Sequence, residues 1–181
     1  MYGLVNRGVQ QLVENKFGAE AWLAICADAG VPATPFVSMQ AYDDAITYRL
    51  VGAVCRYTGL PPEQVLELYG EFWVQYTGTQ GYGALMAAAG KTLPEFLANL
   101  DAMHSRMSAT FQDFQPPSFQ VEEEGPGRLR LHYWTHREGL LPMVVGLIRG
   151  LAVRLGTTVE VSIDRRREDG HDHDELIVIY G

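Results

Sequence analysis

The sequence is poor in cysteine. Only 2 cysteines occur in 181 residues, and Cys26 and Cys55 each lie inside a helical apolar pattern. That setting favours buried, reduced thiols over a disulfide framework or a zinc site. We therefore expect a protein of the cytoplasm.

Basic residues are also scarce, since 14 lysines and arginines face 22 acidic residues and give a formal charge of -8. An acidic chain repels phosphate backbones, and the run Arg165 to Arg167 stands beside acidic residues. No apolar stretch approaches the length of a membrane span, and the N terminus lacks a basic segment followed by an apolar run. We expect neither a nucleic-acid partner nor a membrane partner.

What the chain does have is a hydrophobic content of 47%, enough for a core that encloses a cofactor. Residues 2 to about 111 carry apolar side chains at helical spacing and predict about six helices. Asp43 can cap a helix that runs to about Thr58, and Pro61-Pro62-Glu63 opens another helix that should reach Tyr76.

After Pro117 the apolar period changes from that of a helix to the period of two that is typical of strands, with a hairpin turn at residues 125–127. A helix follows over residues 140–155, where Gly146 and Gly150 would allow close approach to a sheet, and then two more strands. Helices followed by an antiparallel sheet favour an α+β fold. We expect one domain, 1–181, with a helical part over about 1–60 and a sheet-bearing part over about 61–181.

One histidine lies on an apolar helical stripe. The stripe begins at Leu93 and contains Leu93, Leu97, Leu100, His104, Met107 and Phe111. The imidazole of His104 either is a core side chain bonded to a backbone carbonyl, or is the neutral ligand that a five-coordinate heme iron requires.

Three donors alternate on the second strand of the hairpin, namely Tyr133, Thr135 and Arg137. Alternation places a phenol, a hydroxyl and a guanidinium on one face of the strand. These side chains either face solvent or bind an anion such as a pair of heme propionates, which need charge-assisted hydrogen bonds when they are partly dehydrated.

With these residues the sequence resembles the H-NOX (heme nitric oxide/oxygen binding) family, whose mark is a Tyr-x-Ser-x-Arg motif downstream of a helical histidine. Here the motif has Thr135 in place of serine, which keeps the hydroxyl. The likeness covers essentially the whole chain and includes the segments MYGLVNRGVQ, GEFWVQY, GYGALMAAAGKTLPEFLANLDAMH and GLLPMVVGLIRGL.

The resemblance implies a heme b buried between the helical part and the sheet-bearing part. It implies that His104 is the proximal iron ligand and that Tyr133, Thr135 and Arg137 bind the propionates. Pro117 is similar to the proline that presses on the porphyrin and bends it. We expect Leu100 and Met107, on the stripe of His104, to contact the heme.

The resemblance also indicates which gas the heme binds. Oxygen-binding relatives carry a distal tyrosine in the helix after the propionate motif, whereas residues 140–147 here have no hydroxyl group. It implies an apolar distal pocket formed by Val5, Val9, Trp73, Met143 and Leu147, which suits nitric oxide and also carbon monoxide. The alternative is an oxygen sensor in which the indole N–H of Trp73 donates to the bound gas.

No catalytic or DNA-binding motif is visible, and Glu95 and Asp101 have no nucleophile placed beside them. We expect a sensor without enzyme activity that signals to a separately encoded protein such as a histidine kinase or a cyclic-di-GMP enzyme. A cofactor-free α+β interaction module is the alternative from another class. The acidic run 168–175 contains possible metal ligands but is typical of a solvated turn, and His132 faces away from the propionate motif.

Overall fold

A computed structural model describes residues 1–111 and 113–181. In this part of the chain, seven α-helices precede a β-hairpin, and an eighth helix precedes a second pair of strands. The helices before the hairpin are α1 (Gly3–Phe17), α2 (Ala19–Ala29), α3 (Asp44–Thr58), α4 (Pro62–Thr77), α5 (Gly83–Ala89), α6 (Leu93–Ala98) and α7 (Leu100–Ser108). The remaining elements are β1 (Ser118–Gly125), β2 (Arg128–Trp134), α8 (Leu141–Leu155), β3 (Val159–Arg165) and β4 (Asp174–Tyr180).

Local chemistry explains where the helices begin. The carboxylate of Asp43 accepts a hydrogen bond from the backbone of Ala45, and Pro62 is the first residue of α4. Thr92 and Glu95 form a reciprocal capping box at the start of α6. The predicted helices that begin after Asp43 and at Pro62 are thereby confirmed.

The single helix that the stripe from Leu93 suggests is interrupted. Asn99 leaves helical geometry with φ -95° and ψ 2° and separates α6 from α7. The side-chain amide of Asn99 donates to the carbonyl of Ala89 at 2.8 Å. Asparagine side chains that bond to nearby backbone groups in this way favour a break in the helix. The prediction of one continuous helix was wrong at this residue, and the helix that carries His104 is short.

The strands form an antiparallel sheet in the order β1-β2-β4-β3. Within β2, Leu129, Leu131 and Tyr133 are buried, while the alternate residues are half-buried or exposed. This period of two places Arg130 and His132 on the opposite face of the sheet. The predicted strand, strand, helix, strand, strand order is confirmed and the fold is α+β.

The backbone divides into two compact units, Met1–Tyr69 and Gly70–Gly181. The division falls within α4 rather than at the turn near residue 60. In the first unit, Val9, Val13, Val54 and other apolar residues line a cavity of about 50 Å³. Cys26 is buried, Cys55 is half-buried, and both are free.

The core of the second unit joins α8 to the inner face of the sheet and to α5 and α6. Helix α8 approaches α4 closely, because a Cβ added at Gly150 would lie 2.9 Å from the carbonyl oxygen of Glu71. The glycines of α8 were expected to permit contact with a sheet, and Gly150 permits contact with a helix instead. Within the described residues, no helix is both long enough and apolar enough to cross a membrane.

Candidate functional site

His104 lies in the middle of α7 with one ring nitrogen committed to the backbone. Its Nδ1 is 3.3 Å from the carbonyl oxygen of Pro117. A carbonyl can only accept, so in a neutral ring Nδ1 carries the hydrogen and Nε2 keeps its lone pair. Among the described residues, Nε2 has no hydrogen-bond partner, which leaves it available as a ligand.

The surroundings of His104 keep its ring uncharged. Burial lowers the pKa of His104, against the raising effects of the Pro117 carbonyl and of the nearby Asp101 carboxylate. The rings of Phe114 and Phe119 each lie 6.0 Å from the imidazole, measured between centroids. The site therefore presents a neutral imidazole in an apolar wall.

Helix α7 is fastened to β1 at its first turn. One carboxylate oxygen of Asp101 accepts from the backbone N–H of Phe119 at 2.7 Å, and the other accepts from the hydroxyl of Ser118 at 2.8 Å. The structural roles of Asp101 and of the capping residue Glu95 explain why acids occur in this region. Sequence reasoning missed Asp101 as a tether, although an acidic residue in a first helical turn is a recognisable signal.

Tyr133 is the one residue of the propionate motif that lies on a strand. It is 3% exposed, and its ring stacks on Phe119 with centroids 5.2 Å apart. Since Phe119 also contacts His104, one phenylalanine joins the helical histidine to the first residue of the motif. The sequence analysis did not identify Phe119 as part of the site.

Thr135 and Arg137 lie beyond the end of β2, in a turn. The hydroxyl of Thr135 accepts from the backbone N–H of Arg137 at 3.1 Å, which shapes the turn locally. The guanidinium of Arg137 donates to the carbonyl of Gln115 at 2.9 Å. The prediction that all three donors alternate on one strand face was therefore wrong after Tyr133, because the strand ends at Trp134.

The segment that precedes β1 connects both parts of the site. Gln115 offers its carbonyl to Arg137, and two residues later Pro117 offers its carbonyl to His104. Proline fixes its own φ and so limits the freedom of this segment. The backbone at Pro117 thus positions the imidazole, a role that the sequence did not reveal.

A second arginine, Arg167, stabilises the backbone of the turn. The guanidinium of Arg167 donates to the carbonyl of Thr135 and, at 3.2 Å, to the carbonyl of Arg137. The backbone N–H of Arg167 donates in turn to Asp174 at 2.8 Å. Sequence reasoning missed this residue, and no local signal identifies it, because it lies 30 residues from Arg137 along the chain.

The other predicted heme contacts are half-buried. Leu100 packs against the core of the second unit, and Met107 and Pro117 are likewise half-buried. Their contact with a heme stays a prediction.

The predicted distal residues are divided between the two units. In the first unit Val9 is 4% exposed and lines the small apolar cavity, and Val5 is half-buried, with its carbonyl accepting from the hydroxyl of Tyr69. In the second unit Trp73, Met143 and Leu147 are half-buried. Their assembly into one distal pocket stays a prediction.

A family model described as Haem-NO-binding, HNOB, matches residues 2–163. The chain belongs to the Haem-NO-binding family. Domains of this family, also called H-NOX, are heme-based gas sensors, and the resemblance noted in the sequence is confirmed.

Among curated relatives, soluble guanylate cyclase gcy-35 of Caenorhabditis elegans is 31% identical over 176 residues, which are 95% of this chain and 26% of that protein. Soluble guanylate cyclase gcy-37 of the same organism is 33% identical over 155 residues, or 84% of this chain and 22% of that protein. The chain thus spans about a quarter of the length of these cyclases.

Solved structures agree in fold. An H-NOX protein from S. oneidensis in its Fe(II)NO ligation state superposes with a TM-score of 0.90 at 17% identity and covers 100% of this chain and 99% of that one. The unliganded Fe(II) H-NOX protein from K. algicida gives a TM-score of 0.86 at 22% identity, with 100% and 97% covered.

The residues of this H-NOX chain fit a heme. The structure supplies a neutral imidazole with an uncommitted Nε2 and, joined to it through Phe119, a motif containing a phenol and a guanidinium. An axial nitrogen at one end and donors for acidic groups at the other are the donor set that an iron porphyrin with propionates needs.

Proposed function

We propose that this chain senses nitric oxide at a ferrous heme b and passes the signal to a separate protein, without catalysing a reaction itself. The observation that carries the proposal is the pair of carbonyls at Gln115 and Pro117, which orient Arg137 and His104 from one short segment. A core histidine alone would not explain why the same segment also positions the arginine of the motif.

In this proposal His104 binds the iron through the lone pair of Nε2. The Pro117 carbonyl accepts the hydrogen of Nδ1, which fixes the tautomer and the rotation of the ring, as the second nitrogen of a metal-bound histidine commonly requires. The apolar rings of Phe114 and Phe119 disfavour protonation of the free imidazole, which would otherwise compete with the iron.

Tyr133, Thr135 and Arg137 bind the propionates. Arg137 supplies a planar fork of charged donors, and the two hydroxyls supply directional hydrogen bonds. Because Arg167 holds the carbonyls of Thr135 and Arg137, the turn keeps its shape when a ligand binds. The propionate end of the heme is thereby fixed to the sheet.

The distal residues favour nitric oxide over oxygen. Bound oxygen gains from a hydrogen-bond donor, and a bond to a charged group contributes about 1.5–3 kcal/mol. Residues 140–147, which open α8, include no hydroxyl side chain, and Met143 and Leu147 provide apolar surface. Carbon monoxide, which also needs no donor, is expected to bind as well.

His104 would hold a bound ferrous heme through Nε2, and that heme would supply the binding site for nitric oxide. Without a bond from His104 to the heme, Asp101 still ties the first turn of α7 to β1, so the part of the helix after Asp101 is the part that can shift relative to β1. None of the residues of α7 is fully buried, so a shift disrupts little packing. The partner would read this movement.

We propose a histidine kinase or a cyclic-di-GMP enzyme as the partner, which are the kinds of output protein that the family resemblance implies. The curated relatives are guanylate cyclases of which the chain matches about a quarter, so a cyclase domain is another class of output. We further propose a cytoplasmic setting, in which the free thiols of Cys26 and Cys55 stay reduced.

The decisive experiment is an absorption spectrum of the reduced protein, with and without nitric oxide, supported by electron paramagnetic resonance. We expect a Soret band that shifts on adding the gas, and a resonance spectrum that is split by the nitrogen of nitric oxide but shows no further splitting from a histidine nitrogen. Protein that shows no Soret band after incubation with heme would overturn the proposal in favour of a cofactor-free module. A lasting oxygenated spectrum in air would replace nitric oxide with oxygen as the ligand.

A further inference from the structure

The outer face of the sheet brings together side chains that the heme site does not use. His132 of β2 is directly opposite Glu175 of β4 in the antiparallel pairing, so their side chains are neighbours on one face. His173, which precedes β4, completes a group of three residues whose ligand atoms lie within 4.8 Å of one another. We name His132, His173 and Glu175 the sheet-face cluster, and we infer that it is a second metal site, for Zn²⁺ or a similar divalent ion.

The distances suit a tetrahedral ion. His132 Nδ1 lies 2.8 Å from His173 Nε2, and His173 Nε2 lies 3.7 Å from Glu175 Oε1. Zinc bonds of about 2.0–2.1 Å place two tetrahedral ligands about 3.3 Å apart. The two separations bracket that value, and the third pair, His132 and Glu175, lies within 4.8 Å. Side-chain adjustments would let all three atoms bind one ion, with water as the fourth ligand.

The outer nitrogens of both rings face carboxylates. His173 Nδ1 lies 2.6 Å from Asp172, and His132 Nε2 lies 3.5 Å from Glu122. A carboxylate that accepts the hydrogen of one ring nitrogen directs the lone pair of the other toward a metal, which is the usual arrangement around zinc-bound histidines. Asp172 at 2.6 Å fixes the hydrogen on His173 Nδ1, so His173 Nε2 presents its lone pair toward His132 Nδ1. A cation can replace the hydrogen that His132 Nδ1 otherwise donates to that lone pair.

The rings are held in place before any ion binds. Trp134 stacks on His173 with centroids 4.2 Å apart and on His132 at 5.7 Å. The side chains of His132 and His173 are 17% and 12% exposed, so the cluster is sheltered but reachable. Restricted rotation reduces the entropy lost when the ligands are ordered around an ion.

The charges around Glu175 permit a cation. Arg130 donates to Glu175 Oε2 at 2.6 Å and Arg165 donates to Oε1 at 3.2 Å. A carboxylate oxygen has two lone pairs, so Oε1 retains one for a metal. Arg130 is itself neutralised by Glu124 and Asp164, which limits its repulsion of an incoming ion.

The interpretation of residues 168–175 as a solvated turn is correct for residues 168–173, which follow the start of a short 3-10 helix at Arg167–Asp169. It is wrong for Asp174 and Glu175, which belong to β4 and are buried. What that interpretation lacked was His132, which reaches the turn from β2 and is 41 residues from His173 along the chain.

The test is a zinc titration of the full chain, freed of metal with a chelator and followed by calorimetry, with Co²⁺ as a spectroscopic probe of the ligands. We expect one ion per chain and tetrahedral cobalt bands. The variants His132→Ala and His173→Ala should each weaken binding by at least about tenfold, and Asp172→Asn by a similar factor, since residues that orient a metal ligand commonly contribute about 10- to 100-fold.

His171→Ala is the matched control, because His171 is an exposed histidine of the same turn outside the cluster. It should bind zinc as the parent does. Circular dichroism and the Soret band, recorded on every variant, identify a loss of fold, and glutamine replaces alanine at positions 132 and 173 if a variant misfolds. No binding by the parent at micromolar zinc, or equal losses in His171→Ala and His173→Ala, would disprove the site without affecting the heme proposal.

Discussion

The helix that carries His104 and the turn that carries Arg137 belong to the same unit but are held very differently. Helix α7 has no fully buried residue. It contacts β1 through the hydrogen bonds of Asp101 to Ser118 and Phe119 and through the ring of His104 against Phe119. The turn begins two residues after Tyr133, which is 3% exposed. Arg167 donates hydrogen bonds to the carbonyls of Thr135 and Arg137 in the turn. Residues 135–139 of the turn are not buried either, so the two ends differ in the hydrogen bonds that Arg167 makes to the turn and not in the burial of their residues.

This difference suits a sensor. A sensor converts ligand binding into movement of one part of the protein relative to another. The heme therefore needs one attachment to the protein that can break and one that stays in place. We expect the His104 end to move and the propionate end to stay in place. The following variants test each end, in order of the effect expected on heme binding.

The largest effect is expected for His104→Ala. Removal of the proposed iron ligand should reduce heme content by more than about tenfold, since even a residue that merely orients a metal ligand commonly contributes about 10- to 100-fold. The heme bound per chain is measured by its Soret band, and free imidazole should restore it. His136→Ala, at an exposed histidine, is the control, and normal heme content in His104→Ala without imidazole would refute the assignment.

Arg167→Ala tests the propionate end. Loss of the two bonds to the turn should accelerate heme transfer to apomyoglobin by about tenfold, because a bond to a charged group contributes about 1.5–3 kcal/mol and about 1.4 kcal/mol corresponds to tenfold. The spectrum with nitric oxide should not change. Arg166→Ala is the neighbouring control, since Arg166 pairs with the exposed Glu168 at 3.1 Å. Equal rates in the two variants would show that the bonds of Arg167 to the turn have no role.

Asp101→Ala tests the tether of α7. We expect the free energy of unfolding to fall by about 1 kcal/mol, because the bonds are partly exposed to water, and hydrogen exchange in α7 to accelerate more than in β2. Urea denaturation and hydrogen exchange measure the two effects. Asp113→Ala, at an exposed acid beyond α7, serves for comparison. Exchange that rises equally in α7 and β2 would mean that the two ends are not held independently.

The smallest effect is expected for Trp73→Phe. The variant keeps an aromatic ring and removes the indole N–H, the donor on which the oxygen-sensor alternative depends. Spectra with nitric oxide and the behaviour of the reduced protein in air should match those of the parent. If the parent forms a stable oxygenated species and Trp73→Phe does not, Trp73 is the donor and the oxygen alternative is correct.

Much of the fold could be predicted because its causes are local. Asp43 and Pro62 mark helix starts by their own chemistry, and the change of apolar period after Pro117 marks the hairpin. The predictions failed where a competing local bond interrupted a pattern. Asn99 bonds to the carbonyl of Ala89 and interrupts the helix that the apolar stripe predicts. Strand β2 ends before Thr135, whose hydroxyl bonds within a turn.

The sequence by itself determined the elements, their order, the apolar setting of His104 and the family likeness, since apolar periodicity and capping act over a few residues. The tertiary structure decided which groups meet. Arg167 reaches Thr135 across 32 residues and His132 reaches His173 across 41, because strand pairing sets β4 beside β2. No local pattern encodes such contacts, since they depend on the register of strands that are distant in the chain.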